Sequence, residues 1–257
     1  GKLAKKLPFS TVYTDWLFDE ARRAGLDALC LTEHFNTLQF SDLYGYLASK
    51  SRRVGDTLEL PNGLRIFPGM ETDVADGGHI LSVGPLEAIL ELNRQLEPYK
   101  GKGKFLPFEK LMNLFEQYPV LVGCGHPYRA PGHVPELPLD QLKRLNFLDL
   151  NGKDMALDRE RTQRLTYNLG QTLDIPVVSG SDTHQAVQYG CIATCFEGTF
   201  DTVEEMHREM RAGRYEIQLA DSAAFQVRTA CLLKRSLKEI HALGGDYVAV
   251  LTKAVSA

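Results

Sequence analysis

Short apolar runs, none longer than a strand, alternate with amphipathic stretches along the chain, and almost every run ends in a polar cluster. DALCLT (27–32), LRIF (64–67), HILSV (79–83), VLVGC (120–124), FLDL (147–150), IPVVS (175–179), CIATC (191–195) and YEIQL (215–219) read as strands. Residues 12–24, 41–53, 85–96, 108–117, 158–173, 202–212 and 223–242 carry helical spacing, with Asp201 as a candidate cap. Strands alternating with helices in this way predict a parallel α/β architecture. The terminal YVAVL (247–251) reads as a final strand. No repeat and no linker divides the chain, so one domain over residues 1–257 is expected.

Composition narrows the classes. A chain of 257 residues with 44% hydrophobic and 24% charged content can bury a large core. Its 29 basic and 33 acidic residues leave a net charge of −4, which disfavours non-specific nucleic-acid binding. The five cysteines (Cys30, Cys124, Cys191, Cys195, Cys231) are odd in number, irregularly spaced and free of C-x-x-C. They predict no disulfide framework and point to a reducing cytoplasm. No apolar run is long enough to span a bilayer, and GKLAKKLPFS lacks the apolar stretch of a secretory signal.

The polar ends of the strands carry the functional signal. DALCLT runs into Glu33-His34, RIFPGM into Glu71, VLVGCG into His126-Pro127, FLDL into Asn151-Gly152, and IPVVSGS into Asp182-Thr183-His184. In an α/β barrel such ends meet on one rim. Imidazole and carboxylate together are ligands for zinc, manganese or iron. His79 precedes its run and joins that rim only if the chain doubles back through ADGG. His207 and His241 fall in helices and are given no ligand role, His133 lies in a proline-rich loop, and Glu33 reads as a cap rather than a ligand. Five strand ends delivering His, Glu or Asp together argue for a metal site.

These segments resemble the motifs of the PHP (polymerase and histidinol phosphatase) family of metal-dependent phosphoesterases. LCLTEHF is similar to its T-D-H motif, GMET with GHIL to the stretch that supplies a bridging glutamate and a histidine, GCGHPYR to A-H-P, and GSDTH to G-S-D-A-H. The match covers about residues 21–213 and leaves about 214–257 as an extension. The resemblance implies a distorted (βα)7 TIM-like barrel with up to three metal ions. Glu71 would bridge two of them, with Asp182 on one and His79 and His126 on the other, while His34 and His184 would hold the third. The family's first strand ends in H-x-H, and nothing matches it here. Either residues stand upstream of Gly1, or Lys2 lies near the second histidine's place. Both imply fewer than three ions per chain. An uncovered barrel edge would follow, with YVAVL as a candidate cover.

The implied chemistry is hydrolysis of a small phosphorylated molecule. A metal ion lowers the pKa of water from about 16 to about 7, and two ions about 4 Å apart can hold nucleophile and phosphoryl oxygen together. Glu71 and Asp182 are the catalytic carboxylates, and Arg129 is the candidate phosphate clamp because guanidinium meets phosphate bidentately. Lys2, Lys5 and Lys6 could line the same rim. Competing readings are a metal-dependent amidohydrolase, a PHP-like binding scaffold with reduced metal loading, and a nuclease, the last disfavoured by the acidic balance.

Overall fold

The computed structural model describes residues 9–253. The first half contains α1 (Thr11–Arg23), β1 (Ala28–Leu31), α2 (Phe40–Lys50), β2 (Arg52–Val54), β3 (Thr57–Glu59), β4 (Arg65–Asp73), β5 (His79–Val83), α3 (Leu86–Gln95), α4 (Phe108–Phe115) and β6 (Leu121–Gly125). The second contains α5 (Leu139–Leu142), β7 (Phe147–Asp149), α6 (Gly152–Leu157), α7 (Arg159–Leu173), β8 (Val177–Val178), β9 (Ile192–Phe196), α8 (Val203–Ala212), β10 (Tyr215–Leu219), α9 (Ala223–Ala242) and α10 (Tyr247–Lys253). Local chemistry sets several of these boundaries. Ser10 caps α1 by accepting from the Tyr13 amide at 3.2 Å. Thr202, not Asp201, caps α8, in a reciprocal box with Glu205. Asp201 instead pairs with Arg65.

β4 is the organising strand. β1 lies parallel along one edge of it, from Ala28 opposite Arg65 to Leu31 opposite Pro68. The other edge is shared by β3, which pairs with Arg65 and Ile66, and then by β5, antiparallel from Gly69 to Asp73. β6 continues antiparallel to β5, and β7 and β8 follow in parallel. β9 and β10 form a separate antiparallel pair. This pair is tied to the end of β8 by the Ser179 amide, which donates to Thr194 Oγ1 at 2.8 Å.

Two expectations change here. The fold is mixed α/β as expected, but among the described residues the sheet is open rather than a closed (βα)7 barrel, and it is not wholly parallel. The reversals at β4–β5 and β5–β6 leave only the β1–β4, β6–β7 and β7–β8 pairings parallel. The stretch YVAVL is helical in α10. Leu251 and Val248 pack there with Leu237, Tyr13 and Trp16, so tertiary contacts override the β-branched composition. It does not cover a sheet edge as a strand. β1 is half-exposed, because among the described residues β4 is its one strand partner.

Register sorts the side chains on one face of the sheet into two levels. The pairing places Phe67, Glu71 and Asp73 on the same face as His79, Leu81 and Val83, then Leu121, Phe147, Asp149 and Val178. At the lower level Phe67, Val83, Leu121, Phe147 and Val178 pack against Val203, Met206 and Met210 of α8. Gly123 admits the Phe147 ring, since a Cβ there would lie 2.3 Å from it. At the upper level the same face carries Glu71, Asp73, His79 and Asp149. The opposite face, with Ile66, Ile80, Val122, Leu148 and Val177, joins the main core beneath the helices.

Candidate metal centre

The upper level is built by backbone pairing that continues past β1. The Glu71 amide donates to the Glu33 carbonyl at 2.9 Å, and the Phe35 amide donates to the Glu71 carbonyl at 2.8 Å. This bridge sets His34 directly beside Glu71. Tyr44 ties the two strands below it, its hydroxyl 2.7 Å from both the Leu31 and Gly69 carbonyls. The hairpin turn after Asp73 uses Gly77 (φ 84°) and Gly78 (φ 120°), conformations that favour glycine. It returns the chain so that His79 faces Asp73. The proline-rich loop holds this turn in place: the His133 amide donates to the Gly77 carbonyl at 3.0 Å.

Glu71 is the hub. Its Oε2 lies 3.2 Å from His34 Nε2, and its Oε1 lies 2.5 Å from His79 Nδ1 and 3.5 Å from His126 Nε2. His79 Nδ1 is also 2.9 Å from His126 Nε2. Asp73 holds the other side of the His79 ring, with Oδ1 3.1 Å from Nε2. Burial alone would push the Glu71 carboxyl up. Bonds from His126 and His79, with the nearby imidazole charges, outweigh it and hold Glu71 well below the usual carboxylate range. Burial would likewise lower His79, but Asp73 and Glu71 raise it to about 10.

These residues fit a divalent ion. His34, Glu71 and His79 each offer a ligand atom, all within 4.8 Å of one another. Tetrahedral zinc with bonds of about 2 Å sets its ligand atoms roughly 3.3 Å apart. The 2.5–3.5 Å spacings among His79, Glu71 and His126 bracket that value.

Asp182 and His184 belong to a second group. Asp182 Oδ2 accepts from Arg129 Nη1 at 2.7 Å. His184 Nδ1 lies 3.0 Å from the Asp182 carbonyl oxygen and 3.4 Å from Oδ1. Burial lowers the His184 imidazole, opposed by Asp182. His34 contacts Glu71 and Asp73, so the structure does not show it pairing with His184. Arg129 also differs from the phosphate clamp expected of it. Its Nε bonds both Asp154 oxygens at 2.9 and 3.1 Å, and its Nη2 bonds Asn151 Oδ1 at 2.6 Å. All three nitrogens are held by protein acceptors.

His126 joins the two groups, its ring in the first and its amide donating to Asp149 Oδ2 at 3.2 Å. His126 (φ 35°) and Asp182 (φ 51°) both sit in the left-handed region that non-glycine residues rarely adopt, a strain that clusters at functional sites. A cleft of about 200 Å³ opens beside His126, walled in part by Tyr128, Arg129, Asp149, Asp154 and Arg161.

Other candidates fall outside these groups. Glu33 accepts from Thr37 Oγ1 at 2.6 Å and caps no helix. His133 is exposed beside Glu136. His207 and His241 lie on α8 and α9. Lys2, Lys5, Lys6 and the place of the H-x-H motif lie outside the described residues. Asp73, Asp149 and Asp154 escaped sequence reasoning. Two-residue alternation from Glu71 would have found Asp73, whereas Asp149 is hidden inside the apolar run FLDL. No helix among the described residues is long and apolar enough to cross a membrane, and all five cysteines are unpaired.

No family model matches the sequence, and no curated protein matches it. Solved structures do match. PsfC from Pseudomonas syringae PB-5123 superposes with a TM-score of 0.71 at 22% identity, over 91% of this chain and 94% of that one. The lesion-specific endonuclease PfuEndoQ from Pyrococcus furiosus gives 0.56 at 17% identity, over 78% and 52%. Endonuclease Q in complex with a 27-mer duplex substrate carrying an abasic lesion gives 0.58 at 17% identity, over 80% and 52%. The chain thus spans about half the length of the endonuclease Q chains. At these identities the likeness establishes a common fold. Fold and site together define an α/β protein with a histidine–carboxylate cluster at one end of its sheet.

Proposed function

We propose that the chain is a PHP-type, metal-dependent hydrolase of phosphate esters acting on a small phosphorylated substrate. The observation that carries this reading is the convergence of His34, Glu71, His79 and His126, from four separate segments, on a few ångströms of space. These residues would hold a divalent ion, with zinc, manganese and iron all compatible with the donor set. When bound, the ion supplies Lewis acidity toward a phosphoryl oxygen and makes water acidic enough to attack at neutral pH. Asp73 fixes the orientation of the His79 ring. Arg161, which forms no ion pair among the described residues, is the cleft's available anchor for an anionic substrate, in the place first expected for Arg129. Five unpaired thiols are consistent with a reducing compartment such as the cytoplasm.

Nucleic acid returns as a second substrate class. The net charge of −4 argued against it, but a fold in common with a lesion-specific endonuclease weakens that argument. Local field at the site, not total charge, governs such binding.

Hydrolysis of p-nitrophenyl phosphate with added manganese or zinc tests the reading, with an aryl amide and an abasic-site oligonucleotide assayed beside it. Metal-dependent phosphate release, lost in His79→Ala, is expected. Amide cleavage alone would move the chain to the amidohydrolases, and metal binding without turnover of any substrate would leave it a scaffold.

A further inference from the structure

We infer that Arg129 stands where a second cation would otherwise sit, and that it limits the chain to one divalent ion, held by His34, Glu71, His79 and His126. This rests on the metal reading above. The resemblance expects Asp182 to share a metal with Glu71. Instead its Oδ2 is 2.7 Å from Arg129 Nη1.

The guanidinium is fixed from every side. Asp154 takes Nε through both oxygens at 2.9 and 3.1 Å, and Asn151 takes Nη2 at 2.6 Å. Asn151 is itself anchored, donating to Asp149 Oδ2 at 2.9 Å and accepting from the Lys153 amide at 3.1 Å. The side chains of Arg129, Asp154 and Asp182 are only 22%, 20% and 13% exposed, so solvent screens these pairings weakly. Burial opposes charge on the guanidinium, but Asp182 and Asp154 outweigh it and raise its pKa.

Asp182 cannot easily turn away. Its backbone sits at φ 51°, and its carbonyl receives Gln188 Nε2 at 3.3 Å and lies 3.0 Å from His184 Nδ1. A divalent ion on the Asp182 carboxylate would either stand against a fixed guanidinium or displace it from two carboxylates. Like-charge repulsion and lost charge-assisted bonds oppose both. The structure thus assigns Arg129 as a positioning residue: a permanent internal cation that keeps this carboxylate group ordered without metal.

Manganese(II) titration of the full 257-residue chain by calorimetry tests this. The expected stoichiometry is one ion per chain for the unmodified protein, one for Asp182→Asn, and two for Arg129→Met, whose uncovered carboxylates gain a site. Circular dichroism checks that each variant is folded. If Arg129→Met does not fold, Asp182→Asn decides alone: one ion upholds the inference and a lost ion overturns it. Two ions on the unmodified chain, with one lost in Asp182→Asn, would overturn the arginine's role and leave the metal centre standing. A folded Arg129→Met that still takes one ion would overturn it as well. Failure of the unmodified chain to take up manganese would overturn the metal reading itself, and this inference with it.

Discussion

Replacing Glu71 with glutamine isolates the charge at the centre of the site while keeping its shape. The side chain is only 11% exposed, and its two oxygens face three imidazoles. For the unmodified chain, metal at a hundredfold excess over its dissociation constant stabilises the folded state by about 2.7 kcal/mol. In a protein of this size each kcal/mol moves the melting temperature by about 2–4 °C, so the shift on adding metal is roughly 5–11 °C. Loss of even an outer partner of a metal ligand weakens metal binding about 10–100-fold, and Glu71 is proposed as a direct ligand. A hundredfold loss brings the same metal concentration down to the dissociation constant. The stabilisation then falls to about 0.4 kcal/mol, a shift of roughly 1–2 °C. Differential scanning fluorimetry across a zinc or manganese series, with chelator as the baseline, reads this directly. An unchanged metal-induced shift in Glu71→Gln would refute the assignment of Glu71 as the hub.

Three further outcomes follow from the geometry. Tyr44→Phe removes a hydroxyl in contact with Leu31 and Gly69; leaving those buried backbone groups unpaired costs about 1–3 kcal/mol, and urea denaturation should show it, together with weaker metal uptake as β1 loosens from β4. Gly123→Ala forces a methyl against the Phe147 ring and should cost about 1–3 kcal/mol by overpacking, seen as a lower melting temperature. Burial lifts the Asp149 carboxyl to about 6, so the folded metal-free chain binds a proton there that the unfolded chain has released, and stability falls as pH rises from about 4 through about 6. Asp149→Asn should remove that loss, gaining on the order of 3 kcal/mol relative to the unmodified chain between pH 4 and pH 7; equal pH profiles would contradict it.

Much of the upper level was legible because strand ends are marked by abrupt changes from apolar to ionisable residues. His34, Glu71 and His126 stand at such changes. His79 depended on a reversal through ADGG, and paired glycines at positive φ supply it. What stayed hidden has physical causes. The strand was read only over LRIF (64–67), whereas β4 runs on through Pro68 to Asp73. Pro68 still takes part in the sheet through its carbonyl, which receives the Gly84 amide at 3.0 Å. Asp73 was lost with that missing half-strand. The antiparallel pairings were unreadable because periodicity marks a strand and not its direction. Arg129 looked available because three of its acceptors, Asn151, Asp154 and Asp182, lie far along the chain.

The turn between Asp73 and His79 imposes a parity rule on this molecule. Successive residues of β5 point to opposite sides of the sheet, so one residue added or deleted within 74–78 would shift β5 by one place. Ile80 would then swing into the histidine–carboxylate cluster and His79 into the oily layer beneath the helices. Variation in this turn that preserves the cluster must therefore come in steps of two, or be absorbed by a bulge outside the ladder.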